Sequence, residues 1–425
     1  MIKTQLLAAQ AVSEVMTGAN LTDVLRMTWQ SNAMLTGQQR GAIQDLAYGV
    51  LRHYAQLVAI LDTLLNKPLQ DDRLHYLLLV SLYQLGYSKA ASHAIVNHAV
   101  SASRQLADHT KIAGLINAIL RNFIRQRDVL MEQTTQNEAT RFSYPQWWID
   151  TVRRQYPQQY QSILLAGNQH PPMTVRINQR QITLHDYQAM LDAQGIDARI
   201  LWDHALIIAK PVSVEKLPGF ANGLISVQDA GAQLAAPLLA ASNGMRVLDA
   251  CAAPGGKSTH LLELEDIELT ILDNSIHRLQ KVRENLTRLK LSAHQIIDGD
   301  ARYPTQWWDG RLFDRIMVDA PCSASGVVRR HPDIKWRRKP EDISHYAQTQ
   351  LTILEGMWPL LKHGARLLYI TCSIFQEENI LLVKKFLLHH PEAKLLPATH
   401  PQFNSRQLLP DNHHDGFFYA TLQKH

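Results

Sequence analysis

The stretch Asp249-Ala250-Cys251-Ala252-Ala253-Pro254-Gly255-Gly256-Lys257-Ser258-Thr259 decides the fold. It leaves the apolar run Arg246-Val247-Leu248 through a loop of small residues and passes into a helical pattern. Small residues let a backbone approach a ligand closely, and a helix N-terminus offers unpaired N–H groups to an anionic one. The ending Gly256-Lys257-Ser258 nearly spells a phosphate-binding loop, but Cys251 stands where that motif needs its first glycine. A non-phosphate nucleotide is therefore the better expectation than a nucleoside triphosphate. The plain structural alternative is a tight strand-to-helix turn.

Downstream, strands alternate with helices from about 236 to 425, the rhythm of a doubly wound parallel sheet. The expected strands are Arg246–Leu248, Leu269–Leu272, Gln295–Ile297, Arg315–Val318 and Arg366–Ile370, each closely followed by an acidic residue or a cysteine. Ligands of such sheets bind outside the carboxyl ends of the strands, so these residues face one crevice. Asp273 ends the second strand, where a carboxylate can accept from two ribose hydroxyls, and Asp300 ends the third, where adenine would lie. A single strand-end Asp is commonly a helix cap. Successive ones favour an adenosyl group, and with no phosphate cradle evident S-adenosylmethionine fits better than a dinucleotide.

Asp319-Ala320-Pro321-Cys322-Ser323 follows the fourth strand and Thr371-Cys372-Ser373 the fifth. Neighbouring strands lie about 5 Å apart, so both thiols would reach one substrate base. Ser373-Ile374-Phe375-Gln376 has the form of a capping box, placing Cys372 before a helix N-terminus that favours thiolate, with Glu377 and Glu378 opposing the effect. Either cysteine alone would more often be a buried structural thiol. The pair at a nucleotide crevice reverses that reading, while Cys251 serves packing or backbone contact. Arg329-Arg330-His331-Pro332-Asp333-Ile334-Lys335-Trp336-Arg337-Arg338-Lys339 crowds positive charge around a tryptophan, and phosphate and base contact is expected of Arg329, Arg330, His331, Lys335 and Trp336.

The N-terminal part is helical almost throughout to about residue 130, with Ala8, Val12 and Val15, then Ile43, Leu46, Ala47, Val50 and Leu51, at helical spacing and only Pro68 to interrupt it. Glu132–Glu138 looks like a linker, and the alternating run Met173–Asn178 with the apolar Ala205–Ala209 suggests a small α+β domain. The expected partition is 1–138, 139–235 and 236–425. A net charge of +5 permits a nucleic-acid partner without demanding one. Three cysteines without a Cys-x-x-Cys pair argue against a disulfide framework or zinc ribbon and suit a reducing cytosol. No metal is expected, and His389-His390 and His413-His414 are expected at the surface. The polar N-terminus is unlike a secretory signal and no run is long enough to span a bilayer, so a soluble, intracellular, monomeric protein is expected.

These motifs together resemble the RNA 5-methylcytosine methyltransferases, over essentially the whole chain: the loop from Asp249 to Lys257, Asp319–Ser323, Arg329–Trp336, and Thr371–Ser373 with Glu377-Glu378-Asn379. Tyr48–Arg52 and Gly114–Arg121 carry a likeness to NusB-type RNA-binding domains. Ala250 and Gly231 depart from the usual leucine and serine. The resemblance implies a Rossmann-like S-adenosylmethionine methyltransferase domain, preceded by the small α+β domain and a NusB-like helix bundle, acting in the cytoplasm on 16S small-subunit rRNA. It implies that Cys372 attacks C6 of a cytosine, that Asp319 bonds the ring and helps protonate N3, and that Cys322 assists release. The cofactor would be held by Cys251, Ala252, Ala253, Pro254, Gly255, Gly256, Lys257, Asp273, Asp300 and Asp319. In DNA cytosine-5 methyltransferases, which this chain otherwise does not resemble, the Pro-Cys cysteine attacks instead. A non-catalytic RNA-binding assembly factor, or a tRNA substrate, is the competing reading. An exocyclic-amine methyltransferase would be expected to carry an Asn/Asp-Pro-Pro-aromatic loop in place of Asp-Ala-Pro-Cys.

Overall fold

The computed structural model describes residues 1–106, 110–202, 204–398 and 405–425. The chain divides into two compact units, one of Met1–Gln169 with Val328–Lys339, the other of His170–Val327 with Pro340–His425.

The first unit is helical. Its centre is the helix Asp72–Tyr87, apolar on nearly every face and buried at Leu77, Leu78, Leu79, Val80 and Leu82, as a helix surrounded by others must be. Ala8, Val12 and Val15 of the helix Ile2–Met16 pack in the same core, and Gln5 Nε2 satisfies Gln84 Oε1 at 2.7 Å inside it. The helix Gly37–Arg52 starts with a full capping box between Thr36 and Gln39. On its inner face a Cβ at Gly49 would overlap the Tyr83 ring.

Two expectations shift here. The polar run Glu132–Glu138 is not an open linker: the helix Thr110–Gln133 continues into a short 3-10 turn and the helix Glu138–Phe142. The boundary placed at 138/139 also falls inside the unit, which runs on to Gln169. Phe142, Tyr144, Trp148, Ile149 and Val152 are all buried, so the stretch after 138 brings its own apolar face to the helices.

In the second unit a four-stranded antiparallel sheet has the order β2-β3-β1-β4, built from β1 (Met173–Ile177), β2 (Ala198–Trp202), β3 (Ala205–Ile208) and β4 (Ile225–Val227). Tyr187 and Leu191 of the helix Leu184–Ala193 share its core. An eight-stranded sheet holds β5 (Arg246–Ala250), β6 (Glu268–Asp273), β7 (Gln295–Asp298), β8 (Phe313–Asp319), β9 (Leu361–Thr371), β10 (Ala393–Leu395), β11 (Gln407–Leu408) and β12 (Phe417–Lys424) among the described residues. The order is β10-β12-β9-β8-β5-β6-β7, with β11 on β12. Neighbours from β9 to β7 are parallel. The path leaves β5 toward β6 and β7, then returns to β8 on the other side of β5, which opens a crevice at the carboxyl ends of β5 and β8.

All five expected strands lie in this sheet. The parallel rhythm did not anticipate β12, which pairs antiparallel with β9 from Phe418 opposite Thr371 to Gln423 opposite Arg366. A strand covered on both faces carries the same apolar run whichever way it points, so its direction is silent in the sequence.

Candidate active site

Each crevice residue is placed by the end of a strand. After β5 the chain turns through Cys251 at φ 63° and Gly255 at φ 92°, then starts the helix Gly256–Leu264. The left-handed region suits Gly255, and a Cβ there would press on Val282 at 3.2 Å. Asp273, at the end of β6, ties the loop down: its Oδ2 accepts from Ala253 N at 2.9 Å and its Oδ1 from Ser275 N at 3.1 Å. Arg278 adds a bond to the Ala253 carbonyl. Buried Asp249 accepts from Ser258 Oγ at 2.5 Å, and burial pushes its carboxyl up to about 7.

The crevice has a volume of about 330 Å³. Cys251, Ala253, Asp273, Asp300, Asp319, Cys322 and Cys372 line it. Asp300 is held by Arg302 through Nη2 at 2.6 Å, and that bond lowers its carboxyl below the usual range. Asp273, Asp300 and Asp319 around the crevice repel a di- or triphosphate and suit a ligand bearing ribose hydroxyls, an ammonium and a sulfonium. The residues present therefore fit S-adenosylmethionine.

Lys257 has a different place from the one expected. Its Nζ lies 2.6 Å from Asp319 Oδ2, at the chemical end of the crevice. Burial pulls the ammonium's pKa down, but the charge and hydrogen bond of Asp319 outweigh it and leave the pKa raised. Cys251 lines the crevice, yet burial, followed by the charge of Asp273, raises its thiol far above the usual range. Neither feature suits a nucleophile.

The parallel register of β8 and β9 sets Asp319 opposite Ile370. The segments that follow bring Cys322 Sγ within 3.3 Å of Cys372 Sγ. The hydrogen bond to Cys372, and then burial, hold the Cys322 thiol well above its ordinary range. Either sulfur can be the donor in this contact. The expected capping box at Ser373 does not form. Gln376–Glu378 is a short 3-10 turn, the next helix begins only at Ile380, and Ser373 Oγ instead donates to Glu378 Oε2 at 2.6 Å. The helix-dipole argument for Cys372 falls with it. Gln350 and Tyr369, which brace these loops, carry no motif signal of their own, and Glu378 stood out in the sequence only within Glu377-Glu378-Asn379, with no sign of this bracing role.

The cysteine loops meet where no side chain fits. Gly326 N donates to Cys372 O at 2.8 Å, and a Cβ on Gly326 would overlap the Gly416 carbonyl oxygen and lie 2.9 Å from Cys372 O. Gly326→Ala is expected to cost about 1–3 kcal/mol in chemical denaturation, since backbone must shift to admit the methyl. A midpoint equal to wild type would refute this tight approach.

The basic segment is corrected in part. Arg329 and Lys335 are buried in the first unit. Lys335 Nζ donates to Arg52 O and Ser143 O, both at 2.7 Å, and to Asn168 Oδ1 at 2.9 Å. Those three acceptors use all of its protons. Burial lowers its pKa well below the ordinary value. Trp336 Nε1 donates to Leu51 O at 2.7 Å and its ring packs on the helical core. These three residues lock the segment into the unit and do not face a phosphate, whereas Arg330 is half-buried and His331 exposed. Of the paired histidines only His389 is exposed. His390 bonds Glu355 at 2.7 Å and stacks on Phe386, while His413 and His414 are half-buried beside Arg199 and Trp202.

Known proteins agree with this arrangement. Family models match as "16S rRNA methyltransferase RsmB/F" over residues 236–423, as an RsmF/B-like ferredoxin-like domain over 144–215, and as the NusB family over 2–125. Ribosomal RNA small subunit methyltransferase B of Vibrio cholerae is 45% identical over 406 residues, 93% of each chain. The crystal structure of PH0851 superposes with a TM-score of 0.81 at 23% identity, covering 100% of this chain and 99% of that one. A methyltransferase homolog protein from Pyrococcus horikoshii gives 0.60 at 27% identity, covering 68% and 97%. With a NusB domain, a ferredoxin-like domain and a methyltransferase domain in that order, the chain belongs to the ribosomal RNA small subunit methyltransferase B family.

Proposed function

We propose that the protein methylates C5 of a cytosine in 16S small-subunit rRNA, through a covalent bond between Cys372 Sγ and C6 of the base. The observation that carries this reading is the 3.3 Å contact between the two sulfurs, on the crevice also lined by Asp319, which Lys257 holds at 2.6 Å. Addition of a Cys372 thiolate to C6 makes C5 nucleophilic. Asp319 hydrogen-bonds the ring and passes to N3 a proton that the Lys257 ammonium on its other side replaces, leaving Lys257 neutral until the ring returns the proton. The loop from Cys251 to Gly256 with Asp273 and Asp300 would hold S-adenosylmethionine, which would supply the electrophilic methyl group and leave as S-adenosylhomocysteine. Cys322, still protonated during attack, lies beside the S–C6 bond. It assists the second half, in which C5 gives its proton to water, the C5–H electron pair re-forms the ring double bond, and Cys372 leaves as a thiolate that the Cys322 S–H stabilises. The base must leave any stack to enter the crevice.

The direct test is transfer of labelled methyl to 16S rRNA isolated from cells lacking the gene, followed by mapping of the modified base. One 5-methylcytosine is expected. Label on an exocyclic amine, on tRNA alone, or no label at all would overturn the proposal, and the last outcome would favour an assembly role.

A further inference from the structure

Glu378 has no exposed surface and no part in the chemistry above. Its Oε1 accepts from Ser323 N at 2.7 Å and Gln350 Nε2 at 3.1 Å. Its Oε2 accepts from Ser323 Oγ and Ser373 Oγ, both at 2.6 Å. Ser323 directly follows Cys322, and Ser373 directly follows Cys372. One carboxylate therefore grips the residue after each cysteine. Ser325 Oγ completes the knot, 3.1 Å from Ser323 Oγ and 3.0 Å from Ser373 Oγ, and accepts from Ile374 N at 2.9 Å. Tyr369 steadies the far side by donating to Glu378 O at 2.7 Å.

Four donors satisfy this buried carboxylate, and three of them come from the residues that follow the two cysteines, whose sulfurs lie 3.3 Å apart. We propose that Glu378 is a positioning residue for the methyl-transfer site, a carboxylate clamp that sets the separation of Cys322 and Cys372. The assignment of steps to the two cysteines rests on the function proposed above, but the clamp itself does not. Because position is what matters, length should outweigh charge at residue 378. Glutamine keeps the length and can satisfy the same four groups, with its amide donating to the serine hydroxyls, which rotate to accept. Aspartate keeps the charge and falls short by one methylene.

The experiment compares Glu378→Gln, Glu378→Asp and Glu378→Ala in the full chain, with thermal unfolding, steady-state methylation and capture of phenylarsine oxide. That reagent binds two close thiols at once, forming two As–S bonds as its oxygen leaves as water, and needs neither RNA nor methyl donor. Wild type and Glu378→Gln are expected to capture one equivalent, and a Cys322→Ser control none. Glu378→Asp is expected to lose capture and about a hundredfold in kcat, with KM for rRNA changed by no more than about twofold. Where Glu378→Asp or Glu378→Ala fails to fold, Ser323→Ala and Ser373→Ala each remove one arm of the clamp, and weakened capture at an unchanged Tm is the expected result. Full capture and rate in Glu378→Asp, or in both serine variants, would overturn the clamp. So would loss in Glu378→Gln with retention in Glu378→Asp. Capture that depends on Glu378 in a protein that methylates no cytosine would keep the clamp and remove the proposed reaction instead.

Discussion

Cys372→Ala is expected to abolish both methyl transfer and the trapped RNA–protein complex, with a rate loss of at least about a thousandfold, because the proposed bond to C6 is formed by its sulfur. Cys322→Ala is expected to slow turnover yet leave the complex intact or let it accumulate, since the attacking sulfur remains and its release is impaired. The physical reason lies in the Cys322 thiol: its bond to Cys372, and then burial, hold its pKa well above the ordinary range, which disfavours it as the attacking thiolate. Denaturing gels of each variant with unmodified rRNA and cofactor separate the orders. A complex that disappears with Cys322→Ala and persists with Cys372→Ala would reverse the assignment, making the Pro-Cys thiol the nucleophile.

The second large effect is expected far from the reacting atoms. Arg176, on β1, has a fully buried side chain, and its guanidinium meets the Glu263 carboxylate at 2.7 and 2.9 Å. It also donates to Gly256 O at 2.6 Å, Gln228 Oε1 at 2.5 Å and Thr259 Oγ1 at 3.1 Å. The small sheet thus holds the first turn of the helix that carries Lys257. Arg176→Ala leaves Glu263 buried without its counter-charge, and a loss of about 3–5 kcal/mol in urea unfolding is expected. The pair Arg176→Met with Glu263→Leu removes both charges and should recover most of that loss, because desolvation offsets much of the pair's attraction. A single variant as stable as wild type would show that the pair adds little. Calorimetric titration with S-adenosylmethionine on the double variant then asks a separate question, namely whether the bond to Gly256 O shapes the cofactor loop. About tenfold weaker binding is the expected answer.

Much of this protein was written in local sequence. The small-residue loop between Asp249 and Lys257 demands close backbone approach after a strand, and five apolar runs ending in acids or cysteines demand a parallel sheet with one functional edge. Strand ends are local features, so Asp273, Asp319, Cys322 and Cys372 were legible as crevice residues before any fold was known. What a charged side chain faces is not local. The run from Arg329 to Lys339 has the composition of a phosphate-binding surface, yet Lys335 lies under three carbonyl acceptors supplied by residues more than 160 positions away in the chain. A four-residue pattern suggested a capping box at Ser373, but the residues after it form only a short 3-10 turn, and Ser373 Oγ donates to buried Glu378 while accepting from Phe375 N at 3.0 Å. Sequence by itself determined the domain types, the sheet, and the residues at its carboxyl edge, since each follows from periodicity and spacing over a few residues. Only the tertiary structure decided that Lys257 belongs to Asp319, that Glu378 binds both cysteine loops, and that the two sulfurs touch, since each depends on desolvation and on partners brought together from distant strands.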